Sequence, residues 1–441
     1  IHLVARGQIP HRDFFSTQTP LHPYLYAPVE LVAGRDLLAL RLVSVALLGV
    51  TFGALLLWVG RRFSGWGALV TSVVLLSSGS LISWSVVVKT YAGANALMAL
   101  GLYFLWRGSE GERRLPFVAA GVALGLATGV RLFGIVPWGA FGLVCLALAL
   151  LRRRAGLGEA ARRAILPLGG GFALGILPTL ALGLLSPDAT FFGVWRYHQL
   201  RSTSPGLALR AQALGDVAWQ ICSQRPHLVL LLLLAVGGVA RLKRLWPGLS
   251  AGERLFWLGA GAICVSFTAA LTTPWPFFPQ YFTATLPIFL LPFAGIACAR
   301  LAEERVLAGL VIVLALGLGS WGLPAEAARF SSSPRWSLAS YERVTRAVAE
   351  LTPPEGRVVA FWPGYAYGSG SRYYPDAVND FSLFIATKVT PSERERFHLF
   401  GPEELIASLS GPERAEVLVA GTPPPALTRT ATPEQLDRLR G

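Results

Sequence analysis

Residues 37–59 read LLALRLVSVALLGVTFGALLLWV, 23 positions interrupted by one charge, Arg41, and closed by Gly60-Arg61-Arg62-Phe63. A helix rises about 1.5 Å per residue, so this run is long enough to cross a hydrocarbon layer of about 30 Å. Nine further apolar segments follow, at 66–87, 91–106, 115–130, 132–151, 164–185, 228–240, 255–272, 282–299 and 306–323. Three of them are shorter than a full crossing and must tilt, recruit flanking residues or stop short. The fourth and fifth touch at Arg131, which demands a tight hairpin. The expected fold is a polytopic α-helical membrane protein with about ten visible spans.

Composition points the same way. Of 441 residues 53% are apolar and only 15% charged, against roughly 25% charged in a soluble domain. Four cysteines are too few for a disulfide scaffold, and Cys145, Cys264 and Cys298 lie inside apolar runs. The chain opens at Ile1 and its one methionine is Met98, so at least one more span is expected ahead of it. The net charge of +14 suggests nucleic acid until it is located. Residues 324–441 hold 13 Lys+Arg and 14 Asp+Glu, so the excess lies among the apolar runs of 1–323. There it orients helices, and no nucleic-acid partner is expected.

Sidedness follows from where the basic residues fall. The connections 60–65, 106–114, 152–163, 241–254 and 300–305 contain 16 Lys+Arg, including Arg152-Arg153-Arg154, while the opposite side of the same module carries 10, counting Arg41 near the start of the first span, spread over longer segments. The positive-inside rule places the first set in the cytoplasm. Residues 1–36, 186–227, 273–281 and the tail then lie outside an inner (plasma) membrane that the chain crosses many times. All six histidines fall outside or at an outer edge, and no acid occupies the middle of a span. Ion-coupled carriers usually need ionisable groups at mid-membrane depth, so attention moves to the outer segments.

The opening segment, Gly7-Gln8-Ile9-Pro10-His11-Arg12-Asp13-Phe14-Phe15-Ser16-Thr17-Gln18-Thr19-Pro20-Leu21-His22-Pro23-Tyr24, is broken by glycine and three prolines. It gathers His11, Arg12, Asp13, Gln18, His22 and Tyr24 into fourteen residues, either as a ligand-facing set or as an ordinary ordered loop with Asp13 paired to Arg12. The second outer segment carries Trp195-Arg196-Tyr197-His198-Gln199-Leu200-Arg201, then after Pro205 an amphipathic stretch with Leu207, Ala211, Leu214, Ala218 and Ile221 on one face. That pattern suits a helix lying in the interface. The third, Thr272 to Tyr281, is rich in proline and aromatics, as an aromatic belt is. Lys89 and Arg131 are cations at outer helix ends, where snorkelling alone accounts for either.

The run Gly7-x-x-Pro10-x-x-Asp13-Phe14-Phe15, followed by Thr19-Pro20-Leu21-x-Pro23-Tyr24, resembles the first outer loop of GT-C glycosyltransferases. The branch it resembles is that of the protein mannosyltransferases and aminoarabinose transferases. Leu40-Arg41-Leu42-Val43-Ser44 and Gln280-Tyr281-Phe282 leading to Leu286-Pro287 are similar to the same branch. The resemblance implies inverting transfer of a sugar from a polyprenyl-phosphate donor to a hydroxyl of a glycan, lipid or protein acceptor, on the extracytoplasmic side. A carboxylate must orient or deprotonate the acceptor, and Asp13 is the candidate catalytic residue. Cations stabilise the leaving lipid phosphate, for which Arg12, Lys89, Arg131, Arg196 and Arg201 are available. His11, Gln18, His22, Tyr24, His198, Gln280 and Tyr281 complete the candidate binding set. Some members of the family use a divalent metal, for which His22, His198 and Asp13 are the possible ligands. The family also carries an acidic pair ahead of this loop, expected on the preceding span, and a later acid where this chain has Asn95.

Residues 1–323 are therefore expected to form the transmembrane catalytic module and 324–441 a small extracytoplasmic α/β domain. In the latter, 336–351 and Pro402–Leu409 read as helices, Arg357–Trp362 and Glu416–Ala420 as buried strands, and Gly364–Gly370 as a flexible aromatic loop. Two other functions are compatible with the sequence: a flippase or transporter of lipid-linked saccharide, and an envelope polysaccharide polymerase or ligase built around outer-loop arginines.

Overall fold

The structure, a computed structural model, describes residues 1–63, 65–151, 155–201, 206–275, 277–321, 337–353, 355–410 and 414–419. The arginine run 152–154, Pro205, Pro276, the end of the last drawn span and Ala420 lie outside the described residues.

Every one of the ten apolar segments is helical over its described residues. Leu37–Arg62 is a continuous helix of 26 residues. The second segment is broken into Gly65–Leu76 and Gly79–Ser85, bent by 55°. Thr90–Glu110, Leu115–Val130, Ile135–Leu150, Ala155–Leu184, Pro226–Leu245, Ala251–Leu271, Leu286–Leu301 and Arg305–Trp321 follow. Among the described residues four helices are long and apolar enough to cross a membrane, or five if the bent pair is counted as one span. Leu115–Val130, Leu286–Leu301 and Arg305–Trp321 are apolar but shorter. Thr90–Glu110 and Pro226–Leu245 carry charges near their ends, Arg107 and Glu110 in one, Arg241, Lys243 and Arg244 in the other.

Contacts group the chain into two compact units. One is Ile1–Leu40, Leu180–Thr203 and Ala327–Gly441; the other is Arg41–Thr179 and Ser204–Glu326. In the second unit Leu286–Leu301 is apolar all round, and every residue from Leu286 to Cys298 is buried, as expected of a central helix. Leu115–Val130 meets Ala155–Leu184 at backbone distance. A Cβ added at Gly121 or Gly125 would strike the carbonyls of Leu168 or Phe172, and one at Gly171 or Gly175 those of Val118 or Val122. The hairpin required at Arg131 is present: that residue is extended, its N–H bonds the Ala127 carbonyl at 2.8 Å, and a 3-10 turn, Leu132–Gly134, follows.

In the first unit the tail forms a parallel three-stranded sheet, β1 (Arg357–Ala360), β2 (Arg372–Tyr373) and β3 (Val417–Val419), ordered β2-β1-β3. Alternation along β1 sends Val358 and Ala360 into a cluster with Tyr341, Val348 and Tyr365, and Val359 with Phe361 into another with Leu383, Phe400 and Leu405. The expected helices appear as Leu338–Leu351 and Pro402–Ser410. One reading is corrected. Gly364–Ser369 is a helix whose Tyr365 and Tyr367 are buried, not a flexible loop, because its aromatic rings have a core to enter.

A third cluster explains why the opening segment and 180–203 pack with the tail. Phe15, Phe192 and Tyr197 bury against Ile385, Phe397 and Leu399, with Phe192 and Phe397 stacked at 4.1 Å. The helix Leu207–Gln224, in the other unit, buries only Val217 and exposes Leu207, Leu209 and Trp219.

Candidate functional site

The opening segment is an ordered loop between the short helix His2–Ala5 and the helix Leu21–Ala33. Gly7 turns the chain with a φ of 86°. His11 adopts a left-handed backbone, φ 69°, and only 3% of it is exposed. Its Nε2 faces the Gln18 carbonyl at 3.1 Å; a carbonyl only accepts, so Nε2 carries the proton. Nδ1 is buried with no hydrogen-bond partner among the described residues. Burial pushes the imidazole down to about 4, so His11 is a neutral structural pin.

Asp13 is firmly tied. Arg12 donates from Nε to Oδ1 and from Nη2 to Oδ2, both at 2.8 Å, and the Ile9 N–H donates to Oδ2 at 2.7 Å. The bond from Arg12, above all, holds the carboxyl below its usual range. Three of the roughly four acceptor positions of a carboxylate are used, leaving one lone pair on Oδ1. Tyr24 feels both Asp13 and Arg12, and burial raises its phenol.

The segment 187–201 braces this loop. Phe192–Arg196 is a π-helical turn, and Gly193 lets it approach the Ser16 carbonyl and the His11 ring, where a Cβ would collide. His198 Nε2 donates to the Thr17 carbonyl at 3.1 Å. Arg196 forms an ion pair with Glu393 at 2.8 Å, Lys388 donates to the Leu200 carbonyl at 2.6 Å, and Arg201 lies over the rings of Phe384 and Phe381. Arg196, His198 and Arg201, nominated as phosphate or substrate binders, thus knit 187–201 to the loop and to the tail.

Beside the loop lies a cavity of about 320 Å³. Its polar wall includes Gln18, His22 and Asn379, its aromatic wall Phe14, Tyr373 and Phe381. Asp13, Arg12, His11 and Tyr24 are not among its lining residues. Sequence reasoning missed the tail's share of this wall and a buried network next to it. His2 Nδ1 donates to Glu30 at 2.5 Å, and Arg35 donates to His2 Nε2 at 2.7 Å and to the Ser371 carbonyl at 2.8 Å. Arginine only donates, so His2 is neutral with its proton on Nδ1; burial lowers its pKa. Burial likewise raises the neighbouring phenols of Tyr367 and Tyr373. The partners are 28 and more positions apart in sequence, and only the histidine–acid chemistry hinted at them.

The remaining nominated residues form a second constellation, within the other unit. Lys89 and Arg131 are extended residues at helix ends. The Lys89 ammonium lies 4.8 Å from the Trp84 ring centre, and the Arg131 guanidinium 4.1 Å from that of Tyr91 and 5.6 Å from that of Tyr281. Arg131 also donates to the Tyr91 hydroxyl at 3.4 Å and to Thr90 at 3.3 Å. Gln280 is half-buried beside Tyr281 in the short helix Pro279–Thr283. Asn95 is fully buried, donating to the Ala284 carbonyl and accepting from Thr285, so an amide serves a structural end there.

The possible metal set does not assemble. Among the described residues no three His, Cys, Asp or Glu side chains converge; Asp13 is occupied by Arg12, and His198 by Thr17.

Residues 17–157 match the dolichyl-phosphate-mannose-protein mannosyltransferase family. The fold is similar to that of ArnT from Cupriavidus metallidurans, both bound to undecaprenyl phosphate (TM-score 0.61, 16% identity) and in the apo state (TM-score 0.62, 14% identity). Each match covers 94% of this chain and 85% of ArnT. No curated protein matches by sequence. The chain therefore has an ArnT-like membrane fold, and its residues 17–157 are similar to the dolichyl-phosphate-mannose-protein mannosyltransferase family.

Proposed function

We propose that this protein is a membrane glycosyltransferase that moves a sugar from a polyprenyl-phosphate carrier to an acceptor hydroxyl, with inversion, on the extracytoplasmic side of the plasma membrane. The observation that carries this reading is the likeness to ArnT over 94% of the chain, together with the braced loop and its cavity. One ArnT structure holds undecaprenyl phosphate, and a polyprenyl phosphate is the carrier inferred here. The apolar helices of 1–323 form the catalytic module, and the tail lies outside with the loops it packs against.

In the reaction the acceptor oxygen attacks the anomeric carbon and the bond to the carrier phosphate breaks, its electron pair leaving with the phosphate. Cations offset the charge that develops on such a phosphate, and within the unit of apolar helices Lys89 and Arg131, held on aromatic faces, are available for this. Asp13 orients the acceptor through its unused lone pair. Its low proton affinity makes it a weak base, so the acceptor proton finishes on the leaving phosphate, whose second pKa is about 6.

The test uses the purified full-length protein with undecaprenyl-phosphate-linked radiolabelled mannose and panels of lipid, glycan and peptide acceptors. Labelled product from wild type, and none from Asp13→Asn at unchanged expression, is the expected result. Wild-type turnover by that variant removes Asp13 from the mechanism. Failure of wild type to bind undecaprenyl phosphate overturns the donor class, and substrate counterflow in liposomes would establish a carrier instead.

A further inference from the structure

We propose that His398, on the tail, is a positioning residue that clamps the Asp13 loop in its working geometry as an imidazolium, through paired hydrogen bonds to Asp376 and to the Arg12 carbonyl. His398 Nδ1 faces Asp376 Oδ1 at 3.1 Å, and Nε2 faces the Arg12 carbonyl at 3.0 Å. A carbonyl accepts and a carboxylate accepts, so a ring that satisfies both carries two protons. The hydrogen bond that His398 donates to Asp376 raises its pKa above the ordinary 6.5, against the opposing effect of partial burial.

Two further features mark the contact as built. His398 and Asp376 both have left-handed backbones, with φ of 55° and 60°, and so does His11 on the clamped loop. Residues with a Cβ resist that conformation, and here it aims both partners at the loop. His398 also sits between buried Phe397 and Leu399, so its backbone cannot drift. The charged groups that face it are few. Asp376 and Asp13 both favour the imidazolium. The Arg12 guanidinium is engaged with Asp13, and on the histidine's own segment Arg394 is paired with Glu403 and Glu404, Arg396 with Asp188.

The direction of the pH response follows from the raised pKa. Stabilisation is complete below the ordinary imidazole value of 6.5 and is lost as pH rises through the higher folded value. The clamp is closed below that ordinary value and opens as pH rises through the folded one. The Arg12 carbonyl then loses a charge-assisted partner, and the turn that holds Asp13 against the Ile9 N–H loosens.

This inference rests on the proposed role of the Asp13 loop, but its test uses neither donor nor turnover, so the two can fail separately. Histidine hydrogen exchange, read by mass spectrometry on the full-length protein in detergent, gives the titration of His398. Amide exchange of residues 7–15, corrected for its intrinsic pH dependence, reports the loop. Wild type should lose loop protection roughly fivefold between about pH 6 and about pH 9, the difference between a charge-assisted and a neutral hydrogen bond. His398→Ala should be unprotected throughout, and His398→Gln, which can still donate to the carbonyl, protected with no step. Asp376→Asn, which leaves the imidazole in place, should move the step to lower pH and keeps the test valid if the alanine variant does not fold. Equal loop protection in wild type and His398→Ala at about pH 6, or a His398 titration below the ordinary value, overturns the clamp.

Discussion

Arg131 shows what one side chain contributes when its surroundings are aromatic. Its guanidinium rests 4.1 Å from the Tyr91 ring centre and donates to Thr90 and to the Tyr91 hydroxyl, a geometry lysine cannot copy because it lacks the planar fork. Replacing Arg131 with glutamine should weaken undecaprenyl phosphate binding roughly tenfold, about 1.4 kcal/mol, with the lysine variant in between; calorimetric titration in detergent reads it, and an unchanged constant for the glutamine variant removes Arg131 from the donor site. Asp13 makes a different statement. Its carboxyl is held below the ordinary 3.8 chiefly by Arg12, so its stabilising effect is present above that value and fades as pH falls through the lower folded one. The melting temperatures of wild type and Asp13→Asn should therefore differ at neutral pH and converge below about pH 4; a gap that persists in acid assigns the difference to packing. Residue types were legible in sequence, whereas their partners were not. Arg196 and Arg201 read as free cations because Glu393, Phe381 and Phe384 lie nearly two hundred positions away. Glu30 read as a plain outer acid because His2 meets it, and Arg35 meets His2, only after folding.

Helices and strands were the most readable level, since their signal is local. Apolar runs located the helices, and the touching runs at 115–130 and 132–151 foretold the turn at Arg131. What escaped was the contact between elements. Gly121-x-x-x-Gly125 and Gly171-x-x-x-Gly175 are both plain in the sequence, yet only the fold shows them on facing helices, each admitting the other's backbone. In lipid, where apolar surface gains little from self-association, such small-residue seams supply much of the packing. Gly171→Leu should force the helices apart and destabilise the protein by about 1–3 kcal/mol, whereas Gly169→Leu on the same helix, with open space around its missing side chain, should be nearly neutral. Detergent-dilution melting of the two variants checks this, and equal losses would mean that the seam does not carry the pair. The Gly364–Ser369 helix was missed for the opposite reason: its glycines and serine speak for a loop locally, and the burial of Tyr365 and Tyr367 overrides them.

For the whole molecule the decisive quantity is the distribution of basic residues over the two sides of the apolar module, 16 against 10. That asymmetry is an insertion signal rather than a contact, which is why it could be read without any structure. In the proposed orientation the arginine-rich connections face the cytoplasm, and the Asp13 loop, 186–227 and the tail lie across the membrane from it. The packing of Phe15, Phe192 and Tyr197 with Ile385, Phe397 and Leu399 requires the opening loop, the 187–201 segment and the tail to share a side. The chain carries its own probe. Cys222 is the one exposed cysteine, on the helix Leu207–Gln224 that follows the 187–201 segment, while Cys145 and Cys298 are buried and Cys264 is partly so. A membrane-impermeant maleimide added to intact spheroplasts should label Cys222 without permeabilisation, and Cys222→Ser should abolish the signal. Labelling that appears only after the membrane is opened would put the loop in the cytoplasm. The acceptor chemistry proposed for Asp13 would then have to be abandoned together with the orientation, because the charge asymmetry that supports one supports the other.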